Sequence, residues 1–273
     1  MFKKFTMRFS SVIFCCAGLL LFAHISAIAD TVAFFYALDN DFQTLKTQAQ
    51  SVGQPLKVGS RSLAVLQIGA HRVYAVKMGS GAVETAASAQ ALLARVRCDE
   101  AFSVGPVGGL SDKLKIGAWY QVGEIIGYQK GSWTKTGFQL SANAEWKLTN
   151  AFTGILPDLF QKLINIKVAS GEIFVASDNY RAQLHETTGA DAVDMNLFGL
   201  ATVCADHQLP LTCWRIASDH ADDNASDDFK KFVANYDGVG GKAIAEIIKN
   251  LPANPNSPET YPNLRKILSE QSK

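Results

Sequence analysis

This sequence has little of what marks a nucleic-acid, dinucleotide or metal protein. Its 26 basic side chains are balanced by 25 acidic ones, so no basic stripe is available for a polyanion, and nucleic acid is excluded as a ligand of the intact fold. The glycine-bearing stretches GSGAV and GPVGGL have neither the dinucleotide nor the Walker spacing. No G-x-S-x-G elbow is present for a serine hydrolase. His71, His185, His207 and His220 are scattered, and with no cluster of cysteines or carboxylates arranged for coordination, neither a metal nor an organic cofactor is expected. Cysteine is scarce too. Beyond residue 29 only Cys98, Cys204 and Cys213 remain, and an odd number sets up no disulfide framework. All three read as small buried hydrophobes, with a Cys204–Cys213 bridge as the alternative.

No apolar run reaches the roughly 20 residues that a membrane span requires. The first segment instead carries Lys3, Lys4 and Arg8, then an apolar core, then Ala27-Ile28-Ala29, which is the order of a cleaved secretory signal. Neither Cys15 nor Cys16 follows the Leu-small-small triplet of a lipoprotein. Residues 1–29 are therefore expected to be removed, leaving a periplasmic or secreted chain, 30–273, with no stable membrane anchor. That chain has 23 basic and 25 acidic side chains. The whole sequence, 48% hydrophobic and 19% charged, suits a soluble protein with one sizeable core.

What is present alternates between strands and helices. TVAFFYAL (31–38) is apolar throughout, as in a strand covered on both faces, and a helical pattern follows Asp39-Asn40-Asp41. SLAVLQI and RVYAVKM, joined by Gly69-Ala70-His71, read as a β-hairpin. Residues 79–97 open with glycines and continue as a helix, 101–110 form a strand running into a glycine cluster, and 119–128 form another strand. Residues 129–148 show no period and read as a long loop, 156–166 as an amphipathic helix, and EIFVAS (172–177) as a strand. Residues 191–208 pass from a strand edge into a helix, 210–219 make a second buried strand, and one or two closing helices follow. From about 252 a proline- and asparagine-rich tail leads to a short helix at 263–271. This pattern predicts an α/β fold, a three-layer α/β/α sandwich around a mixed central sheet, with ligands at the carboxyl ends of the strands.

Asp41, the Gly105–Gly109 cluster, Phe174, Asn196 and Asp219 all follow strand-like runs. The densest cluster is WRIASDHADD, where an apolar run ends in Ser218, Asp219 and His220. Taken alone, Ser and Asp at a strand end before a helix are ordinary N-cap residues, and Asp222 and Asp223 suit a solvated loop. Six blocks change the weight of Asp219: VAFFYALDNDF, GSGAVETAASAQALL, SVGPVGGLSDKLKIGAW, ASGEIFV, AVDMNLFGLATVC and LPLTCWRIASDHAD. In order and spacing they resemble the nucleoside phosphorylase superfamily, and within it the methylthioadenosine/S-adenosylhomocysteine nucleosidases.

The resemblance implies that Asp219 is the general acid that protonates N7 of a purine, helped by Ser218, and that Asp41 is the base that activates water. It implies that Phe174 stacks on the base, that backbone groups near Val175 read its edge, and that Met195 and Asn196 meet the sugar. Val107 and Gly108 join the substrate contacts. A homodimer whose partner completes the site is implied as well. The departures gather on the sugar and water side: Asp41 and Asn196 stand where the family has glutamates, Pro106 where serine is common, Ala118 and Glu172 where aspartates are usual. Arg215 matches a family arginine, and whether it meets a ligand or an internal carboxylate is open at this stage. The function expected is hydrolysis of the N-glycosidic bond of a purine nucleoside, its 5′ group unspecified. The alternatives are a secreted nucleoside- or base-binding protein without turnover, and a phosphorylase. The last is disfavoured by Ser103-Val104 where a phosphate-holding arginine would precede Gly105.

Overall fold

The computed structural model describes residues 31–148 and 156–251. The expected signal segment, the tail and the helix at 263–271 lie outside them. In chain order the elements are β1 (Thr31–Tyr36), α1 (Asp39–Thr47), β2 (Gln50–Ser51), β3 (Leu56–Val58), β4 (Arg61–Ile68), β5 (His71–Lys77), α2 (Ala82–Leu93), β6 (Glu100–Gly109) and β7 (Trp119–Gly127). Then come β8 (Gly131–Thr134), β9 (Gly137–Leu140), β10 (Glu145–Lys147), β11 (Asn165–Ser170), α3 (Asp178–Thr188), β12 (Ala192–Asp194), α4 (Leu197–Asp206), β13 (Leu211–Asp219), α5 (Ala225–Asn235) and α6 (Val239–Lys249).

β1 shows why its sequence is apolar at every position. Val32, Phe34 and Tyr36 pack on one side with Leu45 of α1 and Ile244 and Ile248 of α6. Ala33 and Phe35 pack on the other with Leu92 of α2 and Leu200 of α4. Side chains alternate across a strand, so a strand with helices on both faces has no polar face to show. The result is the expected α/β sandwich with a mixed sheet.

Eleven strands form that sheet. β1 lies between β5 and β6, parallel to both, and β4 and β5 make the expected hairpin. On the other side five strands close into a ring. β6 pairs with β12, β12 with β11, β11 with β7, β7 with β13, and β13 with β6. The ring brings the ends of β6, β12 and β13 to one place.

Three segments differ from the sequence expectation. Residues 129–148 are a separate hairpin, β8 with β9, followed by β10 paired with β7. All four residues of β8 are exposed, so no inside–outside alternation marks it in the sequence. Residues 156–166 do not form a helix: a single 3-10 turn spans Asp158–Phe160, and Lys162 adopts a positive φ of 56° that a helix cannot continue through. Phe160 is anchored instead by stacking on Trp214 at 4.5 Å. EIFVAS is a loop, and the strand is the preceding NIKVAS. Its apolar Ile173 and Phe174 remain partly exposed because they form a cavity wall rather than a core. The helix that follows, α3, has an N-cap at Ser177, whose hydroxyl accepts from Tyr180 N. Among the described residues no helix is long and apolar enough to cross a membrane. Cys98, Cys204 and Cys213 are free thiols.

Candidate active site

The end of β13 carries a local irregularity that sets up the site. Ala217 pairs with Val107 and Asp219 with Gly108, so two residues of β13 oppose one of β6 across Ser218. Such a bulge breaks the alternation of faces, and both Ser218 and Asp219 line a cavity of about 290 Å³. β12 runs antiparallel to β6, which brings Val193, Asp194, Met195 and Asn196 to the same cavity. The loop after β11 adds Ile173, Phe174 and Val175, the end of β6 adds Pro106, Val107 and Gly108, and the turn after β5 adds Met78, Gly79 and Ser80.

Asp219 is 2% exposed. Its Oδ1 accepts from Ala221 N at 2.9 Å, and its Oδ2 lies 2.7 Å from Ser218 Oγ. Ala221 holds a positive φ of 54°, an unfavourable conformation for a residue with a Cβ, and one that aims its N–H back at the carboxylate. Gly108 is required by the same group, since a Cβ there would fall 2.8 Å from Asp219 Oδ1. Burial pushes the Asp219 carboxyl above the usual range, against the hydrogen bonds from Ser218 and Ala221, which pull it down. Ser218 Oγ also stands 3.1 Å from the Val107 carbonyl oxygen. With a single proton, the hydroxyl can serve the carboxylate when Asp219 is ionised and the carbonyl when Asp219 carries a proton. The pair thus has a partner arrangement for either state.

Behind the cavity lies an ion pair that the sequence did not resolve. Arg215 Nε donates to Asp194 Oδ2 at 3.4 Å, with both side chains 1% exposed. Its Nη1 donates to Ser103 Oγ at 3.2 Å and to the Trp214 carbonyl at 3.0 Å. Arg215 therefore meets an internal carboxylate. Asp194 Oδ1 in turn accepts from the backbone N–H groups of Asn196 and Leu197, both at 3.2 Å, and so fixes the start of α4. Asn196 Nδ2 donates to the Gly79 carbonyl and to Thr85 Oγ1, which leaves its carbonyl oxygen for the cavity.

The expectation for Asp41 needs correction. Its carboxylate does not line the cavity; Ala37 and Leu38, just before it, do. Asp41 sits in α1 fully buried against α6, where Oδ1 accepts from Tyr236 Oη at 2.6 Å and from Gly241 N at 3.0 Å. The approach of α6 depends on Gly241, whose Cβ would fall 1.7 Å from the Asp41 carbonyl oxygen. Burial pushes the Asp41 carboxyl up to about 6, against the pull of Tyr236, Gly241 and the Arg215 charge. Asp41 Oδ2 and Arg215 Nη2 are both buried without a hydrogen-bond partner among the described residues.

The structure thus brings Phe174, Val175, Met195, Asn196, Val107, Gly108, Ser218 and Asp219 together around one cavity and keeps Asp41 apart. The sequence reading missed Asp194 and Phe229. Phe229, on α5, also lines the cavity and meets Phe174 edge to face at 5.6 Å. Phe229 and Phe232 share a helix face, so the amphipathic signal was there, but the sequence does not tell a face on the core from a face on a cavity.

A family model described as the phosphorylase superfamily matches residues 31–249. The chain belongs to that superfamily. Its fold is shared with solved structures of low identity. One is a mutant of Helicobacter pylori 5′-methylthioadenosine/S-adenosylhomocysteine nucleosidase with 5′-methylthioadenosine in its active site, 18% identical, TM-score 0.70, covering 82% of this chain and all of that one. The corresponding nucleosidase from Neisseria meningitidis, in complex with methylthio-immucillin-A, is 22% identical, with a TM-score of 0.67 and coverage of 81% and 100%. The futalosine hydrolase of Helicobacter pylori is 16% identical, with a TM-score of 0.66 and coverage of 82% and 98%. In this phosphorylase-superfamily chain, then, the buried carboxyl of Asp219 stands at the end of the ring's last strand, beneath an aromatic wall made by Phe174 and Phe229.

Proposed function

We propose that the protein is an exported nucleosidase that hydrolyses the N-glycosidic bond of a purine nucleoside, acting as a homodimer after loss of residues 1–29. The observation that carries this reading is Asp219: a carboxyl buried in a cavity, raised by desolvation, with Ser218 able to partner either protonation state. Cleavage of the C1′–N9 bond leaves its electron pair on the base. A proton from Asp219 to N7 makes the base a neutral leaving group, and general acid catalysis of this kind is worth about 10² to 10⁴ in rate. Phe174 offers a stacking face, Val175 backbone groups for the purine edge, and Met195 with the Asn196 carbonyl oxygen a surface for the sugar. Water adds hydroxide to C1′ and releases its other proton to solvent, from which Asp219 is reprotonated. The solved neighbours include nucleosidases and a futalosine hydrolase, which supports hydrolysis as the reaction class.

One observation favours a second reading. Asp41, the expected activator of water, is turned away from the cavity, as suits a secreted nucleoside- or base-binding protein that does not turn its ligand over. The deciding experiment incubates the purified protein with methylthioadenosine, S-adenosylhomocysteine, adenosine, inosine and guanosine, with and without phosphate, and detects free base by chromatography. Base released without phosphate is the expected result. Release only with phosphate would make the protein a phosphorylase, and ligand-induced thermal stabilisation without release would make it a binder.

A further inference from the structure

The carboxyl at the end of β13 depends on a backbone conformation that a residue with a Cβ adopts only at a cost. Ala221 holds a positive φ of 54°, and in that conformation its N–H donates to Asp219 Oδ1 at 2.9 Å. Such a residue stays there when its surroundings fix it, so the turn after β13 has to be held from outside. The holder is the amino end of α3. Ser177 N donates to the Ala221 carbonyl oxygen at 3.3 Å, and the next residue, Asp178, donates its N–H to Asp223 Oδ1 at 3.1 Å. Two successive N–H groups thus grip the turn on both sides of Asp222. α3 is itself fixed to the other strand at the site. One turn further along, Arg181 Nε donates to the Gly109 carbonyl oxygen and Nη2 to Asp112 Oδ1, both at 3.0 Å. Gly109 follows Gly108, against which the Asp219 carboxylate packs. Asp223 is exposed and suits a solvated loop by sequence, yet its side chain ties that loop to the helix.

We propose that Asp223 is a positioning residue of the acid: it fastens the turn after β13 to α3 and so keeps the Ala221 N–H on Asp219. This rests on the nucleosidase reading for the task of Asp219 and adds to it how that carboxyl is aimed. Asp223 acts through the backbone and touches no substrate. The charged groups that bear on Asp219 sit in the same turn: His220, which pulls its titration down, and Asp222, which pushes it up. Of the other elements around the cavity, β5 contributes Lys77 and β12 contributes Asp194, and Arg181 reaches in from α3; all of these stay intact in the test.

The test cuts the same bond from each end. Asp223→Ala removes the acceptor. Asp178→Pro removes the donor, at the first position of a helix, where proline is tolerated. Asp223→Asn keeps an acceptor oxygen without the charge. In each protein the Asp219 carboxyl is followed against pH by NMR of carboxyl-labelled aspartate, its signal identified by its loss in Asp219→Asn, and base release is measured across the same range. The Ala221 N–H stabilises the ionised carboxylate, so losing it raises the pH at which Asp219 titrates. The alkaline limb of kcat moves up with it, because the acid must be protonated to act. Asp223→Ala and Asp178→Pro should both show this, with kcat about tenfold lower and KM unchanged. The double variant should lie no further from the wild type than either single one, and Asp223→Asn should stay with the wild type. Loss of a negative charge alone would move the titration down, so the sign separates positioning from simple electrostatics. A titration that stays or falls when the bond is cut would overturn the proposal, as would additive effects in the double variant or an Asp223→Asn that behaves as Asp223→Ala. Should one single variant fail to fold, the other carries the comparison. If the wild type releases no base, the nucleosidase reading fails, and the NMR titration alone decides whether Asp223 positions Asp219.

Discussion

Asp219 and Asp41 are the same residue type, both buried, both with carboxyls raised by desolvation, and they sit in different surroundings. Asp219 stands at a strand end beside a cavity, with a serine whose proton can follow its own. Asp41 stands in a helix against another helix, with Tyr236 and Gly241 as donors to one oxygen. A perturbed carboxyl is therefore no address by itself, since structural networks perturb carboxyls too. What separates the two is the neighbouring space: a cavity that admits a substrate, or a packed helix that does not.

The sharpest way to break this comparison is at the cavity. Asp219→Asn should lower kcat by about 10² to 10⁴ while the melting temperature stays near that of the wild type, read by steady-state base release beside thermal unfolding. Unchanged turnover would remove Asp219 from the chemistry and with it the contrast.

Asp41 predicts a stability effect in place of a kinetic one. Its folded carboxyl titrates near 6, above the ordinary value, so between pH 4 and 6 the folded chain binds more protons than the unfolded chain. Stability contributed by this group is then full at low pH and lost as pH rises through about 6, by roughly 3 kcal/mol in total. Asp41→Asn keeps an oxygen for Tyr236 and Gly241 but cannot ionise. Relative to the wild type the variant should gain stability on going from pH 4.5 to pH 7, measured by denaturant unfolding at the two values. A difference between the two proteins that is flat with pH would show that Asp41 ionises freely and is not held in the buried contact.

The smallest effect concerns the wall. Phe174→Ala removes the proposed stacking face, and base–aromatic stacking of about 1–3 kcal/mol translates into a KM for the nucleoside about tenfold higher. It also admits water to Asp219. Because burial is what raises that carboxyl, the fall in activity on the alkaline side should move to lower pH, whereas the pH dependence of stability set by Asp41 should not move. A pH–rate profile paired with unfolding curves checks both.

The sequence made much of this legible where one physical constraint acts alone. β1 and β13 are buried on both faces, so their apolar runs could be read directly, and the block order that carries Asp219, Met195 and Asn196 to one sheet end followed from them. Legibility failed where apolar residues serve something other than a core. Ile173 and Phe174 made a loop read as a strand because a cavity wall is as apolar as a sheet interior. Gly137 and the fully exposed β8 carry no period, so the hairpin at 131–140 was silent. The direction of the Asp41 side chain depends on a contact with Gly241, 200 residues away, and no local pattern encodes it.

The five-strand ring also dictates when the cavity comes into being. β13 closes it by lying along β6 and β7, with Leu211 beside Ala101, so its pairing partners were synthesised long before it. Contacts so distant in sequence are entropically slow to form. A growing chain therefore holds Phe174, Met195 and Asn196 before it holds Asp219, and the cavity is complete only when the last strand is in place.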